Sequence, residues 1–132
     1  MYFGISGYNF VCKNRASKTG GDVALSISEY FDYEVRCDLV YPDVAVFESV
    51  FVELLYSDSK NNLIVEVIYR SPGCEASEFN KMFEPLLQKV VGENKKAILT
   101  AEFNLECYDV HDVTNTFFNN MISHSFSPLL II

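Results

Sequence analysis

The sequence has no Cys-x-x-Cys pair, no apolar run near the roughly 20 residues of a membrane-spanning helix, and no basic lead into a long apolar core at its start. Its four cysteines, Cys12, Cys37, Cys74 and Cys107, are widely spaced. That spacing argues against a zinc site and gives no disulfide framework, so a reducing, intracellular setting is expected and secretion is not. Positive charge is scarce as well. Ten Lys and Arg against eighteen Asp and Glu leave a net charge of -8, unfavourable for autonomous binding to a phosphate backbone, where affinity comes from cations. Internal repeats, low-complexity tracts and linkers are also missing, and 1–132 reads as a single soluble domain.

Apolar and aromatic side chains are plentiful. With 49% hydrophobic residues, eleven Phe and eight Tyr, intrinsic disorder is not expected, and 132 residues suffice for one core. Charge is unevenly placed. Lys13, Arg15 and Lys18 fall in an amino-terminal stretch without acids, whereas Glu102, Glu106, Asp109 and Asp112 fall in a stretch without Lys or Arg. A basic end and an acidic loop would suit a phosphate substrate with a divalent cation; two ordinary solvated surfaces would look the same.

Short β-rich runs come first. Positions 8–12 and 23–27 read as two strands joined by a basic, glycine-closed loop, 33–39 as an imperfectly alternating third, and 49–56 and 63–69 as a hairpin punctuated by Ser57-Asp58-Ser59-Lys60-Asn61-Asn62. Glu66, in the middle of the last run, is expected to reach an edge, a partner or solvent, because unpaired burial is costly. From Ser77 the period changes. Phe79, Met82, Phe83, Leu86, Leu87 and Val90 share one helical face, with Ser77 as the expected N-cap, Gly92 as the residue past the end and a bend expected before Pro85. A buried strand at 97–101 follows. A second helix, capped by Asp112 or Thr114, is expected to turn Phe117, Phe118, Met121 and Ile122 inward and stop near Ser125. Positions 127–132 look like another strand in which the chain ends, so the reading is of a piece of a larger fold.

The stretch 97–106 carries the most chemistry. An apolar strand leads into Glu102 and Asn104, two residues apart on extended chain and so on one side, at the carboxyl end where α/β proteins hold ligands. A carboxylate and a carboxamide together can hold and polarise a water or a metal-bound oxygen. The plainer reading is a solvated turn followed by a cap.

Several short motifs occur in order: Lys13-Asn14-Arg15 with Gly20-Gly21-Asp22-Val23-Ala24, Glu48-Ser49-Val50-Phe51-Val52-Glu53, Val67-Ile68-Tyr69-Arg70-Ser71-Pro72, Ala101-Glu102-Phe103-Asn104, and Thr114-Asn115 ahead of Phe117-Phe118. Together they resemble the endonuclease domain of non-LTR retrotransposons of the jockey type, within the endonuclease/exonuclease/phosphatase superfamily. The resemblance runs over nearly the whole chain. It implies a partial four-layered α/β sandwich lacking amino- and carboxyl-terminal strands, and cleavage of phosphodiesters with Mg2+ or Mn2+. It implies catalytic roles for Glu102, Asn104 and Tyr69, with Glu102 and Asn104 also as metal ligands. Arg70, Lys13 and Arg15 would contact phosphate, DNA would be the partner, and a working retroelement endonuclease would act in the nucleus.

Departures from the family pattern temper the activity expected. Glu102 stands where the family has Asp, Ala101 and Asp22 stand at glycine positions, and Glu66 occupies a position that is usually glycine. The family's metal-binding glutamate would fall before Met1 and its Ser-Asp-His segment after Ile132; His111 and His124 do not match that histidine. The expected activity is therefore weak or nil, and the alternative is a non-catalytic retroelement remnant acting at most as a binding module. A sugar-phosphate or inositol-phosphate phosphatase of the same superfamily fits less well, because Arg-Ser-Pro follows the tyrosine.

Overall fold

The computed structural model describes residues 5–13, 23–40, 47–70, 76–102, 112–124 and 126, and at several of these, 13, 70 and 102 among them, the backbone alone. The described residues form a mixed α/β fold of two sheets and two α-helices. β1 (Tyr8–Lys13) and β2 (Val23–Ser28) pair antiparallel, from Tyr8 opposite Ser28 to Lys13 opposite Val23. The second sheet has the order β3 (Asp32–Val35), β4 (Phe47–Leu55), β5 (Leu63–Arg70), β6 (Lys96–Glu102). Its first two pairings are antiparallel and the last, β5 with β6, is parallel. Parallel neighbours need a crossover, and α1 (Ala76–Gly92) provides it.

Strand alternation explains why this sheet lies in the middle. On β5, Ile64, Glu66 and Ile68 are buried while Val65, Val67 and Tyr69 between them are half-buried, so the two faces meet different neighbours. The first face, with Phe51 of β4, packs on Phe79, Phe83 and Leu86 of α1. The opposite face, with Val50 and Val52, packs on Val23 and Ile27 of β2. α2 (Asp112–Ser123) adds Met121 to the core beneath α1. The Phe79 and Phe83 rings, one helical turn apart, stack with centroids 5.2 Å apart.

A charged cluster ties three remote segments together at one end of the helix-side face. Arg36 follows β3 and donates from Nη1 to Glu53 Oε1 at 2.6 Å, while Lys95 Nζ donates to both Glu53 oxygens at 3.0 Å. Asn62 Nδ2 donates to Glu53 Oε2 at 2.7 Å, and its own Oδ1 accepts from the Tyr56 amide at 2.8 Å. Arg36 also binds Asp38 and Glu93. Burial pushes the Glu53 carboxyl up, but Asn62, Lys95 and Arg36 outweigh it and hold it below its ordinary 4.5. The hydrogen bonds that Arg36 donates to Asp38, opposed by burial and reinforced by Glu53, hold its guanidinium pKa above the ordinary value.

Several sequence expectations are corrected. The third strand ends at Val35, and Cys37–Leu39 forms a 3-10 turn that buries Leu39. α1 starts at Ala76, so Ser77 lies within the first turn, and Gly92 is its last residue; the left-handed position after the helix is Asn94, at φ 56°. Pro85 lies within α1, as expected, with helix on either side of it. Ile122 is exposed rather than inward-facing. The side chains of Phe117 and Phe118, and the strand expected at 127–132, lie outside the described residues. Glu66 is the largest departure: it reaches neither edge nor solvent, being 0% exposed, and neither carboxylate oxygen has a hydrogen-bond partner.

Candidate functional site

The carboxyl ends of β5 and β6 lie side by side, and their register places Tyr69 opposite Glu102. β5 lies between β4 and β6, and β6, the last strand of this sheet among the described residues, pairs with it without a break from Leu63 opposite Lys96 to Tyr69 opposite Glu102, which is why their last residues are fixed in relation to each other. On the other side of β5, Tyr69 is opposite Glu48 of β4. Glu48, Tyr69 and Glu102 thus occupy one row across three neighbouring strands, spanning ~10 Å at ordinary strand spacing. Tyr69 is half-buried and packs against the apolar cluster that joins this face to the β1–β2 hairpin. Glu48, two residues from Val50, shares its strand face and is 1% exposed.

Of the residues singled out from the sequence, Tyr69 and Glu102 are brought together as backbone neighbours. Arg70 directly follows Tyr69 as the last residue of β5. Lys13 ends β1 opposite Val23, a member of the cluster on which Tyr69 packs. Asn104, Arg15 and His111 lie outside the described residues. His124 sits at the end of α2 with Nδ1 2.7 Å from the Asn120 carbonyl oxygen and 3.2 Å from the Ser123 hydroxyl, a local helix-end arrangement.

Glu48 was passed over in the sequence because nothing local distinguishes it from a strand-start acid. Only the pairing of β4 with β5, which sets Glu48 opposite a residue twenty-one positions later, reveals its place beside Tyr69. A phenol between two positions bearing carboxylates can donate a hydrogen bond to an oxygen on which negative charge develops.

Among the described residues, no group of three or more His, Cys, Asp or Glu is arranged to hold a metal ion. The donors named for a cation, the Glu102 carboxylate and the Asn104 amide oxygen, are hard oxygen ligands of the kind magnesium takes. No described helix is long and apolar enough to cross a membrane. Comparison of the sequence with protein-family models and with curated proteins gives no match.

Proposed function

We propose that this chain carries the core of a divalent-metal-dependent phosphodiester hydrolase of the endonuclease/exonuclease/phosphatase type, similar to a retrotransposon endonuclease domain, with weak activity. The fold meant is the four-layered α/β sandwich, of which the middle sheet, its helices and one hairpin would be parts. The observation that carries the reading is the register of Tyr69 opposite Glu102 at the carboxyl ends of two parallel strands, where α/β folds bind ligands.

In this reading Glu102 takes the proton of the attacking water and Asn104 orients that water or the scissile phosphate. Tyr69 supports the charge that grows on the phosphoryl oxygens. Arg70, Lys13 and Arg15 hold the DNA backbone, positioning it without reading sequence. Glu102 and Asn104 would hold a magnesium or manganese ion, whose contribution is to neutralise phosphate charge. Glu102 is longer by one methylene than the family's aspartate, a displacement of about 1 Å that can cost roughly a hundredfold in rate; this accounts for the weak activity.

The test is nicking of supercoiled plasmid by the full chain with magnesium or manganese. Slow nicking is expected, lowered about a hundredfold by Asn104→Ala or Tyr69→Phe and raised up to roughly a hundredfold by Glu102→Asp. If neither the wild-type chain nor Glu102→Asp nicks DNA, the enzyme reading is lost and a non-catalytic binding module takes its place.

A further inference from the structure

The buried carboxyl of Glu66 plays no part in the chemistry above. It lies in the interior of β5, between β4 and β6, with Phe51 and Leu99 as its register partners. Ile64 and Ile68 flank it on the same strand face, the face packed by α1. It is 0% exposed, and both oxygens lack a hydrogen-bond partner. Removing a carboxylate from water without a partner is so costly that the group takes up a proton instead.

Among the described residues, no compensating charge meets the carboxyl. On the same face, β4 contributes Ser49, Phe51 and Glu53, and Glu53 is already bound to Arg36, Lys95 and Asn62. β6 contributes the apolar Ala97 and Leu99. The covering face of α1 is apolar except for the amide of Asn80; its titratable Glu84 is half-buried. α2 brings His124, half-buried and engaged with the Asn120 carbonyl. Glu53 and Glu84 would raise the cost of a further negative charge, and the cations Arg36 and Lys95 are occupied by Glu53.

We propose that Glu66 is a proton-dependent latch: as a neutral carboxylic acid it is accommodated beneath α1, and its ionisation drives α1 off the sheet. The only covalent change is loss of one proton to solvent. Opening would admit water to the carboxylate, and the same movement would uncover Phe79 and Phe83. Burial pushes the Glu66 carboxyl well above its ordinary 4.5, in the direction the latch requires. Since the folded state holds the proton to higher pH than the unfolded chain, stability is greatest below 4.5 and is lost as pH rises toward the folded value. The inference is independent of the proposed hydrolase activity.

Two measurements on the full chain test it. The first is infrared spectroscopy of the wild-type protein, which should show a protonated-carboxyl carbonyl band persisting above pH 4.5 and missing from Glu66→Gln. The methyl signals of Leu86 and Leu87 on α1 should shift at the pH where that band disappears. The second is urea unfolding across pH, where the folding constant of wild type relative to Glu66→Gln should fall about tenfold per pH unit above 4.5 until the band is lost. A flat ratio overturns the latch. Should Glu66→Gln fail to fold, the wild-type spectrum decides alone: absence of the band above pH 4.5, or its loss without movement of the Leu86 and Leu87 signals, overturns it.

Discussion

Glu53 shows how burial decides the value of an ion pair. Its side chain is 5% exposed and that of Arg36 is 13% exposed, with N–O distances of 2.6 Å to Arg36 and 3.0 Å to Lys95. Lys81 and Glu78, at 3.5 Å, are 74% and 50% exposed. Water already solvates the second pair, which contributes at most about 0.5 kcal/mol. Removing the charge of Glu53 leaves Lys95 without its carboxylate in a partly buried setting and should cost about 3 kcal/mol. Urea unfolding of Glu53→Gln and Lys81→Gln should separate the two clearly, and added salt should erase only the effect at Lys81. The pH dependence has its own sign. The Glu53 carboxyl is held below 4.5 in the folded chain, so its contribution is present above 4.5 and lost as pH falls through the folded value. Asp38, lowered chiefly by its hydrogen bond from Arg36, acts in the same direction. A fall in pH below 4.5 therefore weakens the Arg36 cluster, whereas a rise above 4.5 works on Glu66, so the stability of the wild-type chain should pass through a maximum between the two.

Among the elements, α1 is both the best patterned and the most compromised. Phe79, Phe83, Leu86, Leu87 and Val90 fall on one face and are buried, and that 3.6-residue period is plain in the sequence. Pro85 breaks the local rule on the same helix. It is exposed, so its side chain contributes little packing, while its missing amide leaves the Lys81 carbonyl without the usual intrahelical donor. Pro85→Ala should therefore raise stability by about 1–3 kcal/mol, read as a higher urea midpoint with an unchanged slope. The strands and helices were legible because each is written in a local period, and their ends less so. The helix stop was expected at Gly92, yet the chain turns at Asn94, another residue that tolerates the left-handed region. The pairing of Glu48, Tyr69 and Glu102 was not legible, because strand register is set between segments far apart in the sequence. Glu66 misled for a related reason: alternation alone does not say that both edges of its strand are covered.

At the scale of the whole molecule, the four-stranded sheet bears two unequal cores. On the α1 side, large side chains including Phe51, Phe79 and Phe83 are at 0% exposure. On the other side the buried members are Val23, Ile27, Val50 and Val52, and the hairpin bears on β4 and β5 while Ile98 of β6 stays 50% exposed. Burial of apolar area contributes ~25 cal/mol per Å2, so four valine- and isoleucine-sized side chains hold the hairpin far less firmly than the phenylalanines hold α1. The outward side of the hairpin reinforces that difference, since Tyr8 and Phe10 are 49% and 41% exposed and gain little from docking. Regions with fewer buried contacts open first. Native-state hydrogen exchange should therefore show the β1–β2 amides exchanging through a lower-energy opening than those of β4 and β5. Low urea should leave the hairpin opening nearly unchanged while lowering the energy of global unfolding, because a small detachment exposes little surface. Equal opening energies for the hairpin and the β4–β5 ladder would mean that the two cores unfold together, and the unequal burial on the two faces would then have no bearing on cooperativity.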